Sequence, residues 1–395
     1  MTANPNAMTL FLIAGEPSGD VLGARLIAAL RQRADRPVRF VGIGGERMIE
    51  EGLETLFPMA ELAVMGLFAA LPRLPVLLGR LNQTVRAIEE MRPAAVVTID
   101  APSFCFRVAK RVRQSRSPVC TVPLIHYVAP SVWAWRPGRA REVAAFLNHL
   151  LTLLPFEPPW FEREGLACTF VGHSIIESGA GCGNGPAFRS RHGLDSATRL
   201  IVVLPGSRTS ELQWLLPDFK ATLKLLAART SDLVAVVPTV PHLAESVRTA
   251  VAGWPMPVLV VEGDENKYGA FAAAEAALAA SGTVALELAL ARLPAVIAYR
   301  INWLAGKVYR RLIRTKYVNL VNIMHGREVV PELVQEKCRP DRLAAAMTQL
   351  LEDPIARQIQ IEGLIAVDQW LGAGGTLPSI RAAEVVWRLA TRDDM

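Results

Sequence analysis

Short apolar segments of strand length recur along this chain at 10–14, 38–42, 94–99, 119–127, 149–153 and 169–171. They return at 200–204, 233–237, 258–261, 276–280 and 295–299. Helical patterns fill most of the gaps, for example Asp20–Gln32 and Phe104–Arg116, and the last hundred residues are mostly helical. Strands that alternate with helices pair in parallel, and a parallel sheet needs helices over both faces. A chain of 395 residues is also too long for one compact core. Between the two strand series lies SGAGCGNGPAF, the clearest linker in the sequence. The pattern predicts an α/β protein of two doubly wound parallel-sheet domains, 1–175 and 187–359, joined by a linker at 176–186 and enclosing a cleft.

Two turns of the second series carry the most chemistry. Leu200 to Glu211 reads LIVVLPGSRTSE, and Ala279 to Glu287 reads AASGTVALE. Each is an apolar strand that runs into a small, hydroxyl-rich turn and then a helix. Such a turn leaves backbone N–H groups unpaired and aimed at one place, with the positive end of a helix dipole behind them. Ser207, Arg208, Ser281, Gly282, Thr283 and, one turn further, Glu287 read as a clamp for a sugar nucleotide. The amides, hydroxyls and guanidinium would meet the pyrophosphate, and the carboxylate would take ribose hydroxyls. The alternative is a pair of ordinary, well-capped βα turns.

In the first series the strand ends are again the places to look, because ligands of open α/β sheets bind beyond the carboxyl ends of strands. Glu16, Ser18 and Asp20 follow the first strand, Asp100 closes AAVVTID, and His126 and Tyr127 end TVPLIHY. Asp20 and Asp100 also suit helix starts, and His126 also suits a satisfied core histidine. HYVAPSVWAWRPGRAR interleaves Trp133 and Trp135 with Arg136, Arg139 and Arg141. A short loop broken by proline and glycine tracks a polymer poorly, so a phosphorylated, greasy small substrate is favoured over nucleic acid. Leu62–Leu81 carries Val64, Met65, Leu67, Phe68, Leu71, Leu74, Leu77 and Leu78 with only Arg73 and Arg80 as charges. It reads either as a buried helix–turn–helix or as an interfacial membrane contact, too short and too Pro-broken to span.

Several chemistries are excluded. The first strand leads into GEPSGD rather than G-x-G-x-x-G, and neither a P-loop nor a Gly-x-Ser-x-Gly elbow is present. No histidines pair at metal-binding spacing, and the five cysteines are odd in number and lack Cys-x-x-Cys spacing, which points to a reducing cytoplasm. Mean hydropathy is high at +0.26, yet no apolar run approaches the roughly 20 residues of a membrane-spanning helix, and no secretory signal is expected from MTANPNAMTLFLIAG. A net charge of +6 favours an anionic partner: a phosphate-bearing substrate, a membrane surface or nucleic acid.

In chain order, LFLIAGEPSGDVLGARL, IDAPSF, IHYVAPSVWAWR, LLPFE, VGHS, LPGSR, ASGTVALE, YVNLVNI and GREVVPEL resemble the motif series of the lipid-A-disaccharide synthase family. The resemblance runs from about residue 9 to 345. It implies a two-domain GT-B glycosyltransferase, with the C-terminal helices 360–395 completing the first domain or swapping between subunits of a homodimer. It implies transfer of 2,3-diacylglucosamine from UDP-2,3-diacylglucosamine to 2,3-diacylglucosamine 1-phosphate, without metal or other cofactor and with inversion. The setting would be the cytoplasmic face of the inner membrane of a Gram-negative bacterium, where anionic lipid is the partner surface. By the same resemblance Asp100 is the catalytic base, Glu16, Ser18 and His126 lie on the acceptor side, and Asn322 joins the UDP-binding residues. The chain departs from the family at Ser103 and Cys105, where Asp and Asn are common, and at Val321, where proline is common. The competing readings are another GT-B UDP-sugar enzyme, such as a UDP-N-acetylglucosamine 2-epimerase or a lipid-II-type transferase, and a basic, non-catalytic membrane-binding protein.

Overall fold

The computed structural model describes residues 7–62, 74–230, 232–302 and 312–391. The chain divides into two compact units, Met1–Ser174 with Gly374–Met395, and Ile175–Ala373.

The first unit is built on a seven-stranded parallel sheet. Its strands are β1 (Met8–Ala14), β2 (Val38–Ile43), β3 (Glu54–Thr55), β4 (Ala95–Ile99), β5 (Leu124–Tyr127), β6 (His149–Thr152) and β7 (Ala167–Phe170). Their spatial order is β3-β2-β1-β4-β5-β6-β7. The central strand reads MTLFLIA because both of its faces are covered. Phe11 and Ile13 point into one core with the helix Pro102–Arg113. Leu10, Leu12 and Ala14 point into the other, with the helices Pro17–Arg33 and Pro378–Ala390. Each fully buried Leu or Phe contributes about 1.5–3 kcal/mol. β1 and β4 are the neighbours at which the strand order reverses, and Ala14 pairs with Ile99. The chain therefore leaves the sheet at Gly15 and at Asp100 side by side.

The second unit repeats the plan. Its strands are β8 (Arg199–Leu204), β9 (Leu233–Thr239), β10 (Val258–Glu262), β11 (Ala276–Ala280), β12 (Ala295–Tyr299) and β13 (Glu332–Val334). They lie in the order β10-β9-β8-β11-β12-β13, all parallel. Leu204 pairs with Ala279 at the reversal, so Gly206 and Ser281 emerge together.

Three expectations change. Within 119–127 only Leu124–Tyr127 is strand, and Pro118–Thr121 is a 3-10 turn; Pro118 and Pro123 have no N–H to give a ladder. The stretch expected as a linker at 176–186 belongs to the second unit. Its glycines serve close packing rather than freedom: a Cβ on Gly183 would sit 1.9 Å from the Tyr268 carbonyl oxygen, and one on Gly185 2.8 Å from that of Ala272. Residues 360–373 likewise group with the second unit, and the return to the first begins at Gly374.

Candidate active site

At the switch point of the first sheet two turns lock together. The helix after β1 begins at Pro17, with Ser18 exposed on its first turn and Glu16 exposed before it. Gly15 lacks a side chain for a physical reason, since a Cβ there would meet the Ala101 Cβ at 2.7 Å. Across from it, Asp100 and Ala101 both take left-handed backbone conformations, with φ of 52° and 42°. Two consecutive non-glycine residues of this kind cost about 1–3 kcal/mol each, and such strain clusters at functional sites. Asp100 stays put because its N–H donates to the Tyr127 carbonyl at 2.9 Å. Ser18 Oγ donates to Asp100 Oδ2 at 2.9 Å. One carboxylate oxygen is thus oriented from the neighbouring turn, and the half-buried side chain keeps contact with solvent. Glu16 and Ser18 thus leave the sheet on the turn next to that of Asp100, with Ser18 in contact with it.

His126 is not with them. It is fully buried, its Nδ1 lies 2.8 Å from Thr98 Oγ1 and its ring packs edge-on against Phe106 at 4.6 Å. Burial, and then the charge of Arg139, push its pKa down to about 3, so it is a neutral core histidine and the acceptor-side assignment is corrected. Asp20 is also structural: its buried carboxylate accepts the N–H groups of Gly45, Arg47 and Met48 at 2.8, 3.2 and 3.1 Å. Of the two departures on the loop after Asp100, Ser103 is exposed and Cys105 is sealed in the core, where burial raises its thiol pKa.

The loop after β5 is anchored from beneath. Val128 has φ of 86° and Arg136 of 53°, both strained. Trp133 packs on Phe156 at 5.2 Å and donates its indole N–H to Glu157 at 3.2 Å. Glu157 also accepts the N–H groups of Leu153 and Leu154. It is nearly enclosed, and burial lifts its carboxyl to about 7 against those hydrogen bonds. Glu157 closes LLPFE, where nothing in the spacing marks it as a buried anchor.

The second unit holds a cavity of about 540 Å³ at the carboxyl ends of β8, β9, β10 and β11, within the usual range for small-ligand sites. Ser207, Arg208, Ser281, Gly282, Thr283 and Glu287 all line it. Gly206 has φ of 117°, and a Cβ there would strike Glu211 at 2.2 Å; the Glu211 carboxylate instead accepts the Ser207 N–H at 2.9 Å and stands 3.6 Å from Arg208. The opposite wall was missed: Pro238 and Thr239 end β9, Val240 and Pro241 follow it, and Gly263, Asp264 and Lys267 follow β10. The strand-end rule that singled out the other two turns applies to these as well.

Asn322 lies elsewhere. It is fully buried, donates to the Val330 carbonyl at 2.7 Å and accepts from Val329 and Val330 N–H groups at 2.8 and 2.9 Å. With Asn319 and Glu332 it ties the short helix Leu320–His325 to β13. Its assignment to UDP is corrected: every polar atom of its side chain serves the fold. Of the expected membrane residues, Val64, Met65, Leu67, Phe68 and Leu71 lie outside the described residues. Leu74, Leu77 and Leu78 open the helix Leu74–Met91; Leu77 is half-buried, and Leu78 and its neighbour Val76 are exposed. Among the described residues no helix is long and apolar enough to cross a membrane, and no group of His, Cys, Asp or Glu is placed to hold a metal.

Known proteins resemble this chain over almost its whole length. A family model described as Lipid-A-disaccharide synthetase matches residues 10–369. A lipid-A-disaccharide synthase of Rhodospirillum centenum is 61% identical over 98% of this chain and 95% of its own. One of Paramagnetospirillum magneticum is 53% identical over 96% and 97%. Among solved structures, a UDP-GlcNAc 2-epimerase from Neisseria meningitidis bound to UDP-GlcNAc superposes with a TM-score of 0.62 at 11% identity, covering 96% of this chain and 99% of that one. MurG of Acinetobacter baumannii superposes with 0.61 at 13% identity, covering 97% and 99%. At such low identity these two speak for the fold alone, which is GT-B.

Proposed function

The chain belongs to the lipid-A-disaccharide synthase family of glycosyltransferases, and from that premise we propose the full reaction. It transfers 2,3-diacylglucosamine from UDP-2,3-diacylglucosamine to the 6-hydroxyl of 2,3-diacylglucosamine 1-phosphate, giving a β(1→6) disaccharide 1-phosphate and UDP. An α-linked donor that yields a β product reacts by single displacement with inversion. Asp100 removes the hydroxyl proton as the new bond forms, a role that general-base catalysis makes worth about 10²–10⁴-fold in rate. Its carboxylate, held by Ser18 on a strained turn, supports that role. The leaving UDP gathers negative charge, and dipoles and charge held in place stabilise it; the lining of one cavity by Arg208 and by the turns after β8 and β11 supports that role for them. Glu287 takes the ribose hydroxyls. Leu77, Leu78 and the preceding residues of that segment touch the inner-membrane surface that supplies both acylated substrates, and exposed apolar side chains there support this.

The single observation that carries the proposal is the cavity lined jointly by Arg208, Glu287 and both turns. Mass spectrometry of purified protein with donor and acceptor tests it. UDP and the disaccharide 1-phosphate are expected. Asp100→Asn should lower turnover by about 10²-fold or more while leaving thermal unfolding near that of the parent. Full activity in this variant removes Asp100 from the base role.

A further inference from the structure

The cavity of the second unit contains a lysine, Lys267, with no role in the scheme above. Two cations, Arg208 and Lys267, and three carboxylates, Glu211, Asp264 and Glu287, line it among the described residues. That balance is awkward for a diphosphate, which brings further negative charge. Arg208 already faces Glu211 at 3.6 Å. Lys267 faces Glu287: its Nζ lies 2.5 Å from Glu287 Oε2, and both side chains are largely withdrawn from water, at 24% and 12% exposure. Withdrawal makes such a pair stronger than one at the open surface. The other carboxylate oxygen, Oε1, accepts from the Tyr268 hydroxyl at 3.3 Å. The Tyr268 phenol is pushed up to about 12, chiefly by burial, so it stays a donor. The Lys267 ammonium is itself seated over the Tyr268 and Phe271 rings, 5.3 and 5.9 Å from their centroids. Both donors come from the first turns of one helix, Asp264–Ala273. Glu287 is therefore gripped on both oxygens by a single rigid element.

We propose that Lys267 is a positioning residue that acts through Glu287. It neutralises the carboxylate and fixes its orientation, so that the site reads the vicinal hydroxyls of a ribonucleotide without repelling its diphosphate. This rests on the assignment of the cavity to UDP. Removing Lys267 leaves one cation against three carboxylates and frees Glu287 to rotate, so two losses occur together. Affinity for the diphosphate falls, and preference for ribose over a sugar without the hydroxyls fades.

Titration calorimetry of the full-length protein with UDP and with 2′,3′-dideoxy-UDP tests it. The parent should prefer UDP. Lys267→Met should weaken UDP binding by about tenfold or more, the scale of one charge-assisted contact, and bring the two ligands towards equal affinity. Lys267→Arg should restore much of the preference, and Glu287→Gln should add little to Lys267→Met. Near-parental UDP affinity and preference in Lys267→Met overturns the proposal, as does a loss of affinity that leaves the ribose preference whole. If Lys267→Met unfolds, unimpaired UDP affinity and ribose preference in Lys267→Gln do the same. A parent protein that binds UDP but shows no preference sinks the role of Lys267 alone. No binding of UDP by the parent sinks the donor-site assignment with it.

Discussion

Three buried ionisable groups of the first unit make opposite contributions to stability. Burial holds His126 at about 3 and His173 at about 4, below the ordinary 6.5, while it holds Glu157 at about 7, above the ordinary 4.5. For the histidines, the unfolded chain binds the extra protons, so their contribution is whole above pH 6.5 and is lost as pH falls. For Glu157 the folded chain binds the extra proton, so its contribution is whole below pH 4.5 and is lost as pH rises through 7. Between about pH 4.5 and 6.5 two protons oppose one, and stability should rise with pH by up to about 1.4 kcal/mol per unit. Glu157→Gln removes the opposing group and should steepen this towards about 2.8 kcal/mol per unit. Urea unfolding at pH 5 and 6.5 measures it, and equal slopes in parent and variant would refute the assignment. At this scale the sequence was legible where chemistry and position coincide. Asp100 and Arg208 stand just past strand ends, and Glu287 stands in the first turn of the helix that follows one. His126 and Asn322 look alike on paper, but His126 is fully enclosed in the core, and the neighbours of Asn322 consume both of its polar atoms. Lys267 was invisible because its partner comes from a different helix.

At the scale of elements, the central strands were readable because burial on both faces demands an unbroken apolar run. The edges were not. β3 is two exposed residues and β13 three half-buried ones, too short for any period to register. What fixes these peripheral pieces is polar. Asp20, on the helix after β1, receives three backbone N–H groups at the start of the helix Glu46–Glu50. That helix has no side-chain cap of its own. Hydrogen bonds to a buried carboxylate are among the stronger ones, and orphaned amides cost more still. Asp20→Ala should therefore lower stability by at least about 2 kcal/mol. Hydrogen exchange should show Gly45, Arg47 and Met48 losing protection first. Unchanged protection at these three amides would mean that the cap does not hold the turn.

For the molecule as a whole, two parallel sheets were legible from alternation alone, whereas their strand order and the chain's return were not. The helix Pro378–Ala390 buries Ala382, Val386 and Trp387 against the first sheet, and the break before it falls at Gly372 and Gly374, whose φ values are 94° and 78°. Periodicity reports that a helix exists, not which sheet it covers. The tract at 178–185 is richer in glycine and reads as a linker, but its glycines pack closely inside the second unit, because glycine marks close backbone approach as readily as it marks a hinge. What both units share is the use of the strand-order reversal, where two turns emerge together and small residues leave room for a ligand. A crystal structure of the full chain with UDP tests this most directly. The diphosphate should lie on the backbone N–H groups of Gly206, Arg208, Gly282 and Thr283, with the ribose hydroxyls on Glu287. UDP bound outside that cavity, or with its ribose turned from Glu287, contradicts the account.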